Sequence, residues 1–255
     1  FSVRCLLKAE DRGYFYIARH SKDAVDLAYL IGYNLGDGNI SRDFCKTWFY
    51  GKPDDLLCIN NLLKTFKVSG KIYIYKIDNG KLVVNDNAFT RLMVVLGAPI
   101  GDKTKSKFGI PKWIINTKKG SEIKIKFLQG LFDSELSSPV LINKARFAFQ
   151  SLKFYSVKEK SFIKEGKNYL YQIVSLLSEF GISATKVFID RSYTRSRDNN
   201  RMTELFFIVH SNYINLYNFV KKIGFMYNSK RKSSSIFLLN SSRTFEVSFS
   251  IAEAA

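Results

Sequence analysis

Two short segments place acids where an acid is hard to keep. Leu30 to Asp37 reads Leu-Ile-Gly-Tyr-Asn-Leu-Gly-Asp, and 98 residues later Leu128 to Glu135 reads Leu-Gln-Gly-Leu-Phe-Asp-Ser-Glu. Leucine, glycine and a terminal acid recur in register. Each segment closes a helical stretch, so Asp37 and Glu135 fall at helix C-termini, where the macrodipole disfavours negative charge. Gly32 and Gly36, and Gly130 and Ser134, are small residues four apart on one helical face. Glycine costs about 1 kcal/mol in a helix interior, so this spacing implies close approach of another backbone. If the two helices pair through these faces, the two carboxylates meet at one end. Their repulsion calls for a hard divalent cation with oxygen ligands and retained waters, and a phosphodiester can supply further oxygens.

The elements that must position these acids also come in duplicate. Ile59, Leu62, Leu63, Phe66, Val68 and Ser69 match Ile173, Leu176, Leu177, Phe180, Ile182 and Ser183, a helical stripe repeated after 114 residues. Asn85, Gly97 and Lys103 match Asn212, Gly224 and Lys230 after 127 residues, with Asn suited to an N-cap and Gly to a helix exit. The widening offset puts insertions near Tyr155 to Asn168 and Tyr193 to Met202, both polar and loop-like. Stretches rich in β-formers lie at Thr47 to Tyr50, Lys71 to Ile77, Arg146 to Phe149, Lys186 to Ile189 and Leu205 to Val209. Each half thus reads α-β-β-α-β-β-α, and Ser21 and Ser121 supply the caps of the two first helices. This predicts a mixed α/β chain divided into an N-terminal extension (1–24), a first half with its connector (25–119) and a second half (120–255).

The 255 residues carry 40 Lys+Arg against 22 Asp+Glu, a net charge of +18. Cutting after Lys119 leaves 20 basic and 11 acidic residues on each side. An excess of this size points first to nucleic acid, with a membrane-surface patch or plain solubility as the bland alternatives. No apolar run approaches the roughly 18 residues that span a bilayer. Three cysteines without C-x-x-C spacing, and no signal pattern at Phe1, read as a protein of a reducing intracellular compartment that is not secreted. His20 and His210 stand too far apart for a histidine-based metal cluster, and neither a Walker loop nor a Rossmann fingerprint occurs.

Leu30 to Gly38, LIGYNLGDG, resembles the signature of the LAGLIDADG homing endonucleases, and Leu128 to Leu136, LQGLFDSEL, resembles its second copy. The single-chain, two-motif form is implied, and the resemblance extends over nearly everything after about residue 24. It implies two pseudo-symmetric α/β halves packed through the motif helices, whose curved antiparallel sheets form a DNA-binding saddle. It implies a monomer that hydrolyses both strands of a long, imperfectly palindromic duplex. Asp37 and Glu135, with Gly36 and Ser134 beside them, would bind divalent metal, normally Mg2+, and Ca2+ would support binding without cleavage. Lys103 and Lys230 match the basic position after the third helix. Gln150 and Lys153, with Lys52 in the first half, fall near positions that order water at the metals.

Two departures stand out. Gly51 occupies a place where an amide or a base is expected, so the two sites are unequal. Leu136 replaces the glycine after the acid, which implies either a different helix exit or a strained second site. Neither chain end shows the junction residues of a splicing domain, so the expected origin is free-standing or intron-encoded. An intron RNA maturase and a DNA-binding protein without cleavage remain as alternative readings on the same scaffold.

Strand parity picks out the side chains for the major groove. In the first half these are Arg42, Lys46 and Trp48, with Lys71, Tyr73 and Tyr75; in the second, Lys144, Arg146, Arg191, Tyr193, Arg195 and Arg197. Ile72 and Ile74 take the opposite parity, toward the core.

Overall fold

Two glycine-marked helix faces can be buried only against each other, and the rest of the chain is arranged around that contact. The computed structural model describes residues 2–19, 21–143, 148–236 and 238. Helix α1 (Val3–Asp11) precedes the first motif helix, α2 (Lys22–Leu35). Strands β1 (Gly38–Ile40) and β2 (Thr47–Gly51), helix α3 (Pro53–Lys64), strands β3 (Lys71–Lys76) and β4 (Asn79–Val84) and helix α4 (Asn87–Val95) complete the first half. A connector with a 3-10 turn (Lys103–Lys105) and the short helix α5 (Lys112–Ile115) leads to the second motif helix, α6 (Glu122–Glu135). Strands β5 (Leu141–Asn143), β6 (Ala148–Phe149) and β7 (Leu152–Glu159), helix α7 (Ile163–Glu179), strands β8 (Phe188–Arg195) and β9 (Asn200–Val209) and helix α8 (Tyr213–Lys222) follow, and residues 229–236 are again helical.

The chain is a mixed α/β fold of two pseudo-symmetric halves with antiparallel sheets. The first sheet runs β1-β2-β4-β3 and the second β7-β9-β8. A single bridge from Leu136 to Phe154 of β7 takes the place that β1 holds beside β2. Even the irregularities match, since the register slips between Ile74 and Lys76 in one outer hairpin and between Ile189 and Ser192 in the other.

Local chemistry sets the boundaries. The Ser21 hydroxyl accepts from the Ala24 N–H at 3.2 Å and the Ser121 hydroxyl from that of Lys124 at 3.5 Å, so both motif helices start at a serine cap. The cap of α4 is Asp86 rather than the expected Asn85, and its carboxylate accepts from Phe89 N–H at 2.9 Å. The same Asp86 pairs with Lys8 and Arg12 at 2.7 and 2.9 Å, which ties α1 to α4. The N-terminal extension is therefore anchored to the first half through α1. Hydrophobic residues of α2, α6, α3, α4, α7 and the sheets' inner faces form one continuous core.

The two inserted stretches are not loops. Residues 155–168 lengthen β7 and α7, and residues 193–202 lengthen the β8–β9 hairpin. Their polarity misleads because a hairpin extending beyond the core has no apolar face to show. Ile74, assigned to the core by parity, is 65% exposed for the same reason, while Ile72 packs on the core. Among the described residues, no helix is long and apolar enough to cross a membrane.

Candidate functional site

The site is built by contact between α2 and α6. A Cβ on Gly32 would fall inside the carbonyl of Phe127, and one on Gly130 inside that of Tyr29, so the backbones touch symmetrically. One turn on, a Cβ on Gly36 would overlap the Ser134 hydroxyl and reach the Glu135 side chain. The four small residues thus bring Asp37 and Glu135 side by side at the shared end of the helices. The result is visible in their acidity. Burial and the charge of Asp37 push the Glu135 carboxyl up to about 7. Burial likewise raises Asp37, against the pull of Lys103 and Arg231.

Each helix end is closed by a cation from farther along the chain. The Lys103 ammonium donates to the carbonyls of Asn34 and Leu35 at 3.1 and 3.0 Å, and to that of Gly36. The Arg231 guanidinium donates to the carbonyls of Phe132 and Ser134 at 3.1 and 3.2 Å, and to that of Asp133. Both satisfy carbonyls that a helix terminus leaves open, at the negative end of its dipole. Arg231, not Lys230, is therefore the counterpart of Lys103. Lys230 is exposed on the helical segment 229–236, one residue off the expected register.

The acids open into separate cavities. Glu135 lines one of about 210 Å³ with Gly36, Lys103, Lys158 and Tyr169. Asp37 lines another of about 320 Å³ with Ser134, Arg231, Asp55 and Lys52. Each cavity combines an acid from one half with a helix end and a cation from the other. The two are unlike in character. The Glu135 cavity is walled by Phe108, Phe154 and Lys158, whose amine is lowered to about 8 by burial and by Lys103. The Asp37 cavity adds the carboxylates of Asp55, Asp78 and Asp133. Asp133 is committed to structure, accepting from Tyr29 Oη at 2.8 Å and from Tyr227 N–H at 2.7 Å.

Among the described residues, no group of three or more His, Cys, Asp or Glu could hold a metal by itself. The oxygens at the helix ends nevertheless suit a hard cation. The charge of Asp37 acts on the Glu135 carboxyl, and the Gly36 carbonyl already receives an ammonium, a stand-in for positive charge at that point.

Leu136 shows no strain. Its φ of −78° and ψ of 139° are ordinary extended values, and its side chain is 0% exposed in the core. Gly38, its counterpart, is required for a different reason than a positive φ: a Cβ there would overlap Asn34 of α2.

The other expected residues are scattered more widely. Gln150 is exposed, pairs through its backbone with Val140, and lines neither cavity. Lys153 sits in β7 opposite Ile208. Lys52 lines the same cavity as Asp37, 3.4 Å from Asp78. Lys71, Tyr73 and Tyr75 share an exposed face of β3, where Lys71 and Lys81 lie over the Tyr73 ring at 5.3 and 5.9 Å. Arg42 and Lys46 are exposed near β2, and Trp48 is half-buried within it. Arg191 is engaged by Glu204 at 2.9 and 3.1 Å and lies over the exposed Tyr193. Arg195 is not free, being held by Asp198 and Asp102. Arg197 reaches Asp102 at 3.1 Å but stays 66% exposed. Lys144 and Arg146 lie outside the described residues.

No family model matches the chain. RNA polymerase subunit Rpo1N of Methanocaldococcus jannaschii is 29% identical over 252 residues, which cover 91% of this chain and 18% of that protein. The tRNA-splicing ligase RtcB of Pyrococcus furiosus is 26% identical over 227 residues, covering 82% of this chain and 22% of that protein. The chain spans about a fifth of the length of these curated relatives. The solved structure of I-DmoI in complex with DNA and Ca aligns with a TM-score of 0.50 and 15% identity, over 80% of this chain and 91% of that one. The chain has the fold of the homing endonuclease I-DmoI. In this chain the paired helices α2 and α6 form the seam between the halves, and the helix ends bearing Asp37 and Glu135 lie at that seam.

Proposed function

We propose that this protein is a site-specific DNA endonuclease that hydrolyses both strands of a duplex with divalent metal. The observation that carries the reading is the pair of composite cavities, each joining a motif acid of one half to the helix end and capping cation of the other. Asp37 and Glu135, with the carbonyls of Gly36 and Ser134, would hold the metal, whose chemistry is to acidify an attacking water and neutralise charge on the departing oxygen. Mg2+ is the expected ion for cleavage and Ca2+ for binding alone. I-DmoI has been captured with DNA and Ca, and with DNA and Mn, which supports this choice. Lys103 and Arg231 sit where they can steady charge on a phosphate once metal occupies the carbonyls they now cap. The exposed faces of β3 and of the β8–β9 hairpin, with Lys71, Tyr73, Tyr75, Tyr193 and Arg197, supply the duplex contacts, and the net charge of +18 supplies the field.

The regular backbone at Leu136 removes the main reason for expecting a binding-only protein. A span of some 250 residues that aligns within an RNA polymerase subunit and within an RNA ligase is the pattern of a module carried inside unrelated host chains. It supports a protein-borne origin as an alternative to the intron-borne one. Selection from a randomised duplex library in Ca2+, followed by Mg2+ and sequencing of cut ends, tests the reading. Magnesium-dependent double-strand breaks at a long motif are expected. A motif without cleavage would leave a DNA-binding protein, and capture of structured RNA alone would favour a maturase.

A further inference from the structure

The turn that carries Lys103 belongs to the first half but is fastened by the second. Lys158 of β7 donates to the carbonyls of Lys103 and Ser106 at 2.7 and 3.0 Å. Arg195, the last residue of β8, donates through Nη1 to Thr104 Oγ1 at 3.2 Å and through Nη2 to Asp102 at 3.3 Å. Its Nε and Nη2 also grip Asp198 at 2.9 and 2.6 Å, and Lys105 completes the cluster at 3.1 Å from Asp198. The Arg195 side chain is 15% exposed, so it is spent on these contacts rather than offered to a duplex. The turn is thus fixed from the hairpin, while its Lys103 ammonium reaches the end of α2 and the Glu135 cavity. Arg231 is set differently, on a helical segment where its own N–H donates to Asn228 at 3.1 Å.

Building on the endonuclease reading, we propose that Arg195 is a positioning residue that holds Lys103 at the Glu135 cavity from the tip of the β8–β9 hairpin. The planar fork matters because one guanidinium makes four donations from three nitrogens, two to Asp198 and one each to Asp102 and Thr104, whereas an ammonium offers three donors from a single nitrogen. The hairpin that presents Tyr193 and Arg197 outward thereby sets the cation of one cleavage site. A disturbed hairpin tip would reach the Glu135 cavity and leave the Asp37 cavity as it is.

The test uses the full chain with Arg195→Ala and Arg195→Lys. Acetylation by an N-hydroxysuccinimide ester, mapped by mass spectrometry, reads the protection of each lysine. Lys103 is expected to react about tenfold faster in Arg195→Ala, with Arg195→Lys between, while buried Lys124 keeps its rate and reports an intact fold. On a duplex labelled on each strand, with Mg2+ in single turnover, one strand should slow about tenfold and the other stay unchanged, so nicked product accumulates. Unchanged Lys103 protection overturns the proposal, as does equal slowing of both strands. If the parent cuts neither strand, the endonuclease reading fails, and the acetylation result still decides whether Arg195 places Lys103.

Discussion

Arg231 does for α6 what Lys103 does for α2: each lays a side-chain cation across three consecutive carbonyls at the end of a motif helix. The two cations come from different residue types and from different local structures, a 3-10 turn and a helical segment. What is repeated between the halves is the charge at the helix end, not the amino acid.

Removing either cap should cost stability and, more sharply, rate. Lys103→Met and Arg231→Met are each expected to lose about 1–2 kcal/mol in urea unfolding, from the dipole contact and the freed carbonyls. Lys230→Met, one residue away and exposed, should be nearly silent. Equal effects of Lys230→Met and Arg231→Met would undo the reassignment.

The helix seam leaves no room for a methyl. Gly32→Ala or Gly130→Ala would press a Cβ into the carbonyl of Phe127 or Tyr29, at about 3 kcal/mol for an overpacked contact against backbone. Chemical denaturation should show a lowered midpoint for both, whereas Gly120→Ala, where a Cβ meets nothing but φ is +69°, should cost less.

The acid pair gives the metal-free protein a characteristic pH response. Glu135 titrates at about 7 in the fold against an ordinary 4.5, so its protonated form favours the folded state. That stability is full below the ordinary value and is lost as pH rises through about 7. In EDTA, Glu135→Gln should therefore melt higher than the parent at about pH 8 and converge with it in acid. Parallel melting curves across this range in parent and variant would contradict the burial of Glu135 beside Asp37. Added Mg2+ should recover the parent's loss and do little for the variant.

Binding and cutting should separate at the acids. Asp37→Asn or Glu135→Gln is expected to abolish double-strand cleavage while duplex affinity stays within about tenfold, because positioning rests on the basic sheets. Footprinting and cleavage of one labelled duplex would check both, and undiminished cutting by either variant would take that acid out of the chemistry.

Much of this arrangement is legible in the chain. Ser21 and Ser121 announce the motif helices, and the glycines four apart announce their contact, because caps and close packing depend on local residue types. Arg231 is not legible, since Lys230, Arg231 and Lys232 differ only in direction on a helical segment and spacing cannot choose among them. Arg195 is hidden for a different reason: its partner Asp102 lies 93 residues away, and a charged strand residue looks the same whether it faces phosphate or an ion pair. Lys158 carries no signal at all, as a lysine in a strand that also holds Lys153 gives no hint of two carbonyls waiting beneath it.

The cross-fastening of the Lys103 turn also bears on how such a chain could change over time. A duplicated half begins as an interchangeable copy, yet here one half's turn is gripped by Lys158 and Arg195 of the other. Neither half can now be swapped for a second copy of its neighbour without orphaning that turn. Duplication has become a one-way step, and the two halves must be inherited, and engineered, as a pair.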